Sequence, residues 1–79
     1  MRVPRDVDAS QLIKLLSRYG YTVIRQTGSH IRLSSITNKG EHNITVPDHQ
    51  PVKIGTLQNI VKDVCDMNGL EISDLYKQL

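Results

Sequence analysis

Leu12, Leu15, Leu16 and Tyr19 recur at helical spacing, and Asp8 with Gln11 three residues later forms a capping-box pattern ahead of them. Gly20 follows the last periodic position, where a left-handed stop is common, so a first helix is predicted over Ala9 to Tyr19. The period then changes. Tyr21 to Gln26 is rich in β-branched and aromatic residues, Thr27-Gly28 is a turn signal, and Ser29 to Ile36 predicts a second strand paired with the first. A second turn at Asn38-Lys39-Gly40 leads into the alternating segment Glu41 to Val46, a third strand, after which Pro47 withholds a ladder donor. Pro47 to Pro51 reads as a loop. Beyond Gly55-Thr56 a second helix sets Leu57, Ile60, Val61, Val64 and Cys65 on one face and is closed by Gly69. Ile72, Leu75 and Leu79 mark a short terminal helix, and no internal repeat or low-complexity tract interrupts the pattern.

The order helix, three antiparallel strands, helix, short helix predicts one α+β domain over residues 1–79 with the helices on one face of the sheet. Strand neighbours point to opposite faces, so Ile31 and Leu33 turn toward the helices while His30, Arg32 and Ser34 turn outward. In the third strand Ile44 and Val46 join the helix side and take His42 with them, which leaves Asn43 and Thr45 on the open face. That face is therefore expected to be polar and basic.

Composition narrows what such a domain does. A chain of 79 residues has a thin core, and with three tyrosines but no phenylalanine or tryptophan it is built from Leu, Ile and Val, which favours a shallow surface site over a deep aromatic pocket. One cysteine, Cys65, forms no internal disulfide, no apolar run reaches the ~18 residues of a spanning helix, and Met1 to Asp6 lacks the apolar stretch of a secretory signal. A reducing cytoplasm is the expected location. The net charge is only +2, but Lys14, Arg18, Arg25, Arg32, Lys39 and Lys53 are opposed in the middle of the chain only by Glu41 and Asp48, whereas the tail is acidic. A basic centre suits a polyanion, and the acidic tail suits a different partner, although lysines and arginines are also ordinary on a solvated surface.

A histidine beside an arginine on an exposed strand is most often mere surface. His30 stands out because an imidazole exchanges a proton near neutral pH, and RNA supplies its own nucleophile in the 2′-hydroxyl, so one positioned base with cations near the phosphate suffices for cleavage. Other chemistries fit less well. Ser29 and His30 are adjacent on a strand and point apart, which disfavours a nucleophile pair and makes Ser29 a turn residue. His30, His42, His49 and Cys65 lack the short paired spacings that hold zinc, and Cys65 sits on an apolar helical stripe where a small buried hydrophobe is the usual role. Gly55-Thr56-Leu57 could offer free helix-start amides to a phosphate with Lys53 beside them, against the commoner role of simple capping, and His49 could approach RNA or merely fill a turn.

Five ordered pieces make the pattern more specific: Leu15-Leu16 to Gly20, then Arg25-Gln26-Thr27-Gly28-Ser29-His30, then Val46-Pro47-Asp48-His49, then Gly55-Thr56-Leu57 with Ile60, and Asn68-Gly69-Leu70. Together they resemble the HicA family of toxin–antitoxin mRNA interferases over nearly the whole chain. The resemblance implies a fold similar to double-stranded-RNA-binding domains and cleavage of mRNA without metal or cofactor. It makes His30 the catalytic histidine, and implies a HicB-like antitoxin that covers the active region. On the basic open face and at the second helix start, Arg25, Arg32 and Lys53 are expected to hold phosphate, with Ser29 and Thr56 making further RNA contacts, and the lack of a long apolar run predicts no membrane association. A non-catalytic RNA-binding module of the same fold is the alternative, and a pure protein-interaction partner is a third class.

Overall fold

The computed structural model describes residues 3–79; Met1 and Arg2, which head the stretch expected to lack an export signal, lie outside the described residues. The chain forms α1 (Ala9–Ser17), β1 (Thr22–Thr27), β2 (His30–Thr37), β3 (Gly40–Pro47), α2 (Ile54–Asn68) and α3 (Ile72–Tyr76). The strands make one antiparallel sheet in the order β1-β2-β3. Ile31, Leu33, Ile44 and Val46 are buried against Leu12, Leu15 and Leu16 of α1 and Leu57, Val61 and Val64 of α2, as the period-two and helical patterns require. The α+β order is that of the double-stranded-RNA-binding domain. Among the described residues no helix is long and apolar enough to cross a membrane.

The expected end of the first helix at Tyr19 is corrected to Ser17, with the chain tightening through Arg18 and Tyr19. The start is as its sequence suggests: Gln11 Oε1 accepts the Asp8 amide at 2.8 Å in a capping box. At the other end the Tyr21 amide reaches back to the Leu16 carbonyl at 3.2 Å and the Gly20 amide to Ser17 at 3.2 Å, the bond pair of a Schellman stop. This geometry needs Gly20 at φ +90, and a Cβ there would stand 3.3 Å from Ser35 Oγ in the neighbouring strand. Gly20→Ala is therefore expected to cost about 1–3 kcal/mol of folding free energy, read from the shift in urea midpoint. A loss below a few tenths would mean that the stop is redundant.

The second helix begins earlier than expected, at Ile54 and not beyond Thr56, with Lys53 as its N-cap. The Leu57 amide bonds to the Lys53 carbonyl at 2.9 Å, so the first turn closes over Gly55 despite glycine's poor helix propensity. Tertiary bonds set that start: Val52 donates to the Val7 carbonyl at 2.7 Å and Ala9 to the His49 carbonyl at 3.3 Å, which pins the loop after β3 to the entry of α1.

Tyr21 precedes β1 instead of opening it, and is buried. Its hydroxyl accepts from Asn68 Nδ2 at 3.0 Å and lies 2.6 Å from His42 Nδ1, so the phenol proton is free for the imidazole. Burial pushes the Tyr21 phenol up, with Asp63 adding to that push and the Asn68 bond opposing it. His42 is thereby held on the helix side of the sheet, as side-chain parity predicts. Cys65 is buried in the core, and burial first, then Asp66, Glu71 and Asp74, push its thiol up and keep it protonated.

Candidate functional site

The hairpin between β1 and β2 is a two-residue loop, Gly28-Ser29, with Gly28 at φ +57. Glycine in the first position of such a loop takes the positive φ that matches the twist of the flanking strands. The loop length fixes the register, placing Thr27 opposite His30 and Arg25 opposite Arg32. On the other side of β2, His30 faces Pro47 and Arg32 faces Thr45. Paired residues share a face, so two rows arise on the open side of the sheet: Thr27, His30 and Pro47, then Arg25, Arg32 and Thr45.

Beyond Arg25 the register shifts: Val23 pairs with Leu33, which leaves Ile24 as the extra residue of a bulge. A bulge of this kind bends the strand and increases its twist beside the site. All six residues of β1 are exposed, so the helical layer does not cover this edge strand.

Arg25, Thr27, His30, Arg32 and Thr45 line one shallow depression of about 270 Å³. Behind it, on the opposite side of β2, Ile31 and Leu33 are buried, so the strand carrying His30 and Arg32 is anchored while both side chains stand in solvent. Two guanidinium-bearing residues directly opposite one another repel, and no carboxylate occupies either row. The nearest acid along this face of β3, Glu41, is opposite Ile36, four residues and about 13 Å along the strand from Arg32. An imidazole beside two uncompensated cations can attract a phosphodiester, neutralise charge that develops on it and exchange a proton with a group bound there.

The other expected residues sit elsewhere. Ser29 occupies the hairpin loop, where its carbonyl accepts the Asp48 amide at 2.6 Å, and it does not line the depression. Lys53 and Thr56 lie at the start of α2, in the helical layer, and do not line it either. That helix start has no side-chain cap and no acidic residue in its first turn. His49 is exposed in the loop after β3, and His42 is on the opposite face from His30. Of the basic centre, only Arg25 and Arg32 line the depression: Lys39 Nζ donates to the Asp66 carbonyl at 2.8 Å, and Arg18 to Gln78 Oε1 at 3.2 Å.

Thr27 and Thr45 are the lining residues that the sequence pattern did not assign to the site, although strand parity had put Thr45 on the open face. Counting back across two two-residue turns, Gly28-Ser29 and Asn38-Lys39, would have found both.

A protein-family model described as HicA toxin of bacterial toxin–antitoxin matches residues 9–64, from the first residue of α1 to well within α2. No curated protein and no solved structure matches the chain.

Proposed function

This chain belongs to the HicA toxin family of bacterial toxin–antitoxin systems, and from that premise we propose that it is a metal-independent endoribonuclease that cleaves mRNA with His30 as general base. The supporting observation is the shared depression, in which the His30 imidazole stands beside the like-charged couple Arg25 and Arg32. His30 takes the proton of a ribose 2′-hydroxyl, the freed oxygen attacks the adjacent phosphorus, and the bond from phosphorus to the 5′-oxygen breaks. The products are a 2′,3′-cyclic phosphate and a 5′-hydroxyl whose proton comes from solvent. Arg25 and Arg32 bind the non-bridging oxygens, whose charge grows in the transition state. Ser29, Lys53 and Thr56 are assigned to flanking RNA contacts, outside the reacting centre. Membership in a toxin–antitoxin family implies a cognate antitoxin; we assign that role to a HicB-like protein covering the open face, and place the activity in the cytoplasm with its mRNA substrate.

The test is purified protein with end-labelled single-stranded RNA in excess chelator. Fragments ending in a 2′,3′-cyclic phosphate are expected, and the same oligonucleotide made with 2′-deoxyribose should stay intact. Intact RNA, or cutting that appears only on adding a divalent metal, overturns the mechanism. A salt-sensitive gel shift without fragments would assign the face to binding alone.

Arg25→Gln and Arg32→Gln should each lower RNA affinity and flatten its salt dependence, by about 0.7 in the log–log slope for each phosphate of a single strand that is no longer neutralised. The same changes should leave the fold as stable as before or more stable by up to ~1 kcal/mol, because a like-charge cross-strand pair is removed. Affinity titrations at several salt concentrations, paired with urea unfolding, read both effects. Lower affinity together with lower stability would mean that the arginines serve the fold.

A further inference from the structure

Two more rows continue the open face past the arginines: Ser34 opposite Asn43, then Ile36 opposite Glu41. Their composition is odd for mere surface. Ile36 is 81% exposed, a large apolar side chain among polar neighbours. Asn43 is exposed in mid-strand although strands disfavour asparagine. Glu41 is oriented inward along the face, where its Oε1 accepts from Ser34 Oγ at 3.3 Å. Resting on the ribonuclease reading, we propose that Ile36, Asn43 and Glu41 form a base-recognition subsite for the unpaired nucleotide flanking the scissile phosphate, selecting bases that carry an exocyclic amino group (adenine, cytosine, guanine) over uracil.

Position and charge give the orientation. The Ser34–Asn43 row lies two residues, about 7 Å, from the Arg25–Arg32 row and the Ile36–Glu41 row about 13 Å, so Asn43 is within the reach of one nucleotide and Glu41 enters that reach through the carboxylate it turns back to Ser34. Phosphate is drawn to the arginines and repelled by Glu41, so the backbone stays at the His30 end and the base extends toward Ile36. Chemistry gives the selection. Ile36 offers an apolar floor to the base plane, and the Asn43 amide offers one donor side and one acceptor side. The Glu41 carboxylate only accepts, so it takes the exocyclic amino group that adenine, cytosine and guanine each carry and finds none on uracil, whose carbonyls it repels. A base already paired in a duplex has that edge occupied, which makes single-stranded RNA the substrate class.

The experiment uses short single-stranded RNAs that carry each of the four bases in turn on either side of one fixed cleavage step. On one side, kcat/KM for adenine, cytosine and guanine should exceed that for uracil by about tenfold. Glu41→Gln should shrink that ratio to within about twofold, since the neutral amide can face either group. Ile36→Ser should weaken all four RNAs together through KM. Equal rates for all bases, or a preference untouched by both Glu41→Gln and Asn43→Ala, overturns the subsite. If the wild-type protein cuts none of the RNAs, the ribonuclease reading fails separately. Affinities of the same RNAs then decide the subsite: an amino-base preference lost in Glu41→Gln supports it, and uniform affinity overturns it. Unchanged RNA affinity in Ile36→Ser would assign the isoleucine to a protein partner and likewise sink the proposal.

Discussion

Replacing His30 with alanine is expected to lower the proposed cleavage rate by about 10²–10⁴-fold, the usual contribution of one general base, while RNA affinity should change little. The two readouts should separate because the proposal puts affinity in the guanidinium groups and proton transfer in the imidazole. The ring is exposed and its strand is anchored by Ile31 and Leu33 on the other face, so its loss leaves the fold intact. His30→Gln is the sharper control, since it keeps a polar side chain of similar reach without a titrating nitrogen and should be as inactive as the alanine form. Single-turnover cleavage with saturating protein measures the chemical step, and circular dichroism checks the fold. A variant that still cleaves within about threefold of wild type would move the base elsewhere. The exposed His49, in the loop after β3, would be the next side chain to replace.

The second large effect is on stability. Leu33→Ala should remove about 2–5 kcal/mol from a domain whose total is on the order of 5–15 kcal/mol. Leu33 is fully buried at the centre of the middle strand, between the Val23 and Ile44 partners, and directly precedes no loop that could collapse into the space it leaves. Part of the cost is lost transfer of the side chain from water, and part is the cavity left between sheet and helices. Urea unfolding should show a lower midpoint at unchanged slope. Ile36→Ser, three residues along the same strand but on the exposed face, should stay within about 0.5 kcal/mol of wild type. If the two substitutions cost the same, the assignment of faces is wrong. Because β2 carries both His30 and Arg32, Leu33→Ala should also lose cleavage on warming before wild type does.

An antitoxin that covered this site, as we propose, would have a physical problem to solve there. Covering the depression without neutralising Arg25 and Arg32 would bury two like charges side by side, a costly arrangement. A partner supplying carboxylates to that pair would relieve their repulsion and compete with RNA through the same groups.

Much of this was legible in the order of residues. Leu12, Leu15 and Leu16 declared one helix face, and Gly20 and Gly69 its and the second helix's stops, because a helical period and a left-handed stop are local properties of the chain. Alternation in Ile31-Arg32-Leu33 put His30 and Arg32 on the open face for the same reason. Family membership, too, came from residues in sequence order. What the chain did not reveal was which groups meet across strands. Arg25 facing Arg32, and the threonines that complete the depression, depend on turn length and on where a bulge falls. The start of α2 at Ile54 depended on Val7 and His49 fixing the preceding loop, and the Tyr21–His42–Asn68 contact joined residues far apart in the chain. Local periodicity decides which face a side chain takes, because neighbouring backbone geometry sets its direction; only packing decides which other side chain it meets, because that distance is a property of the whole fold.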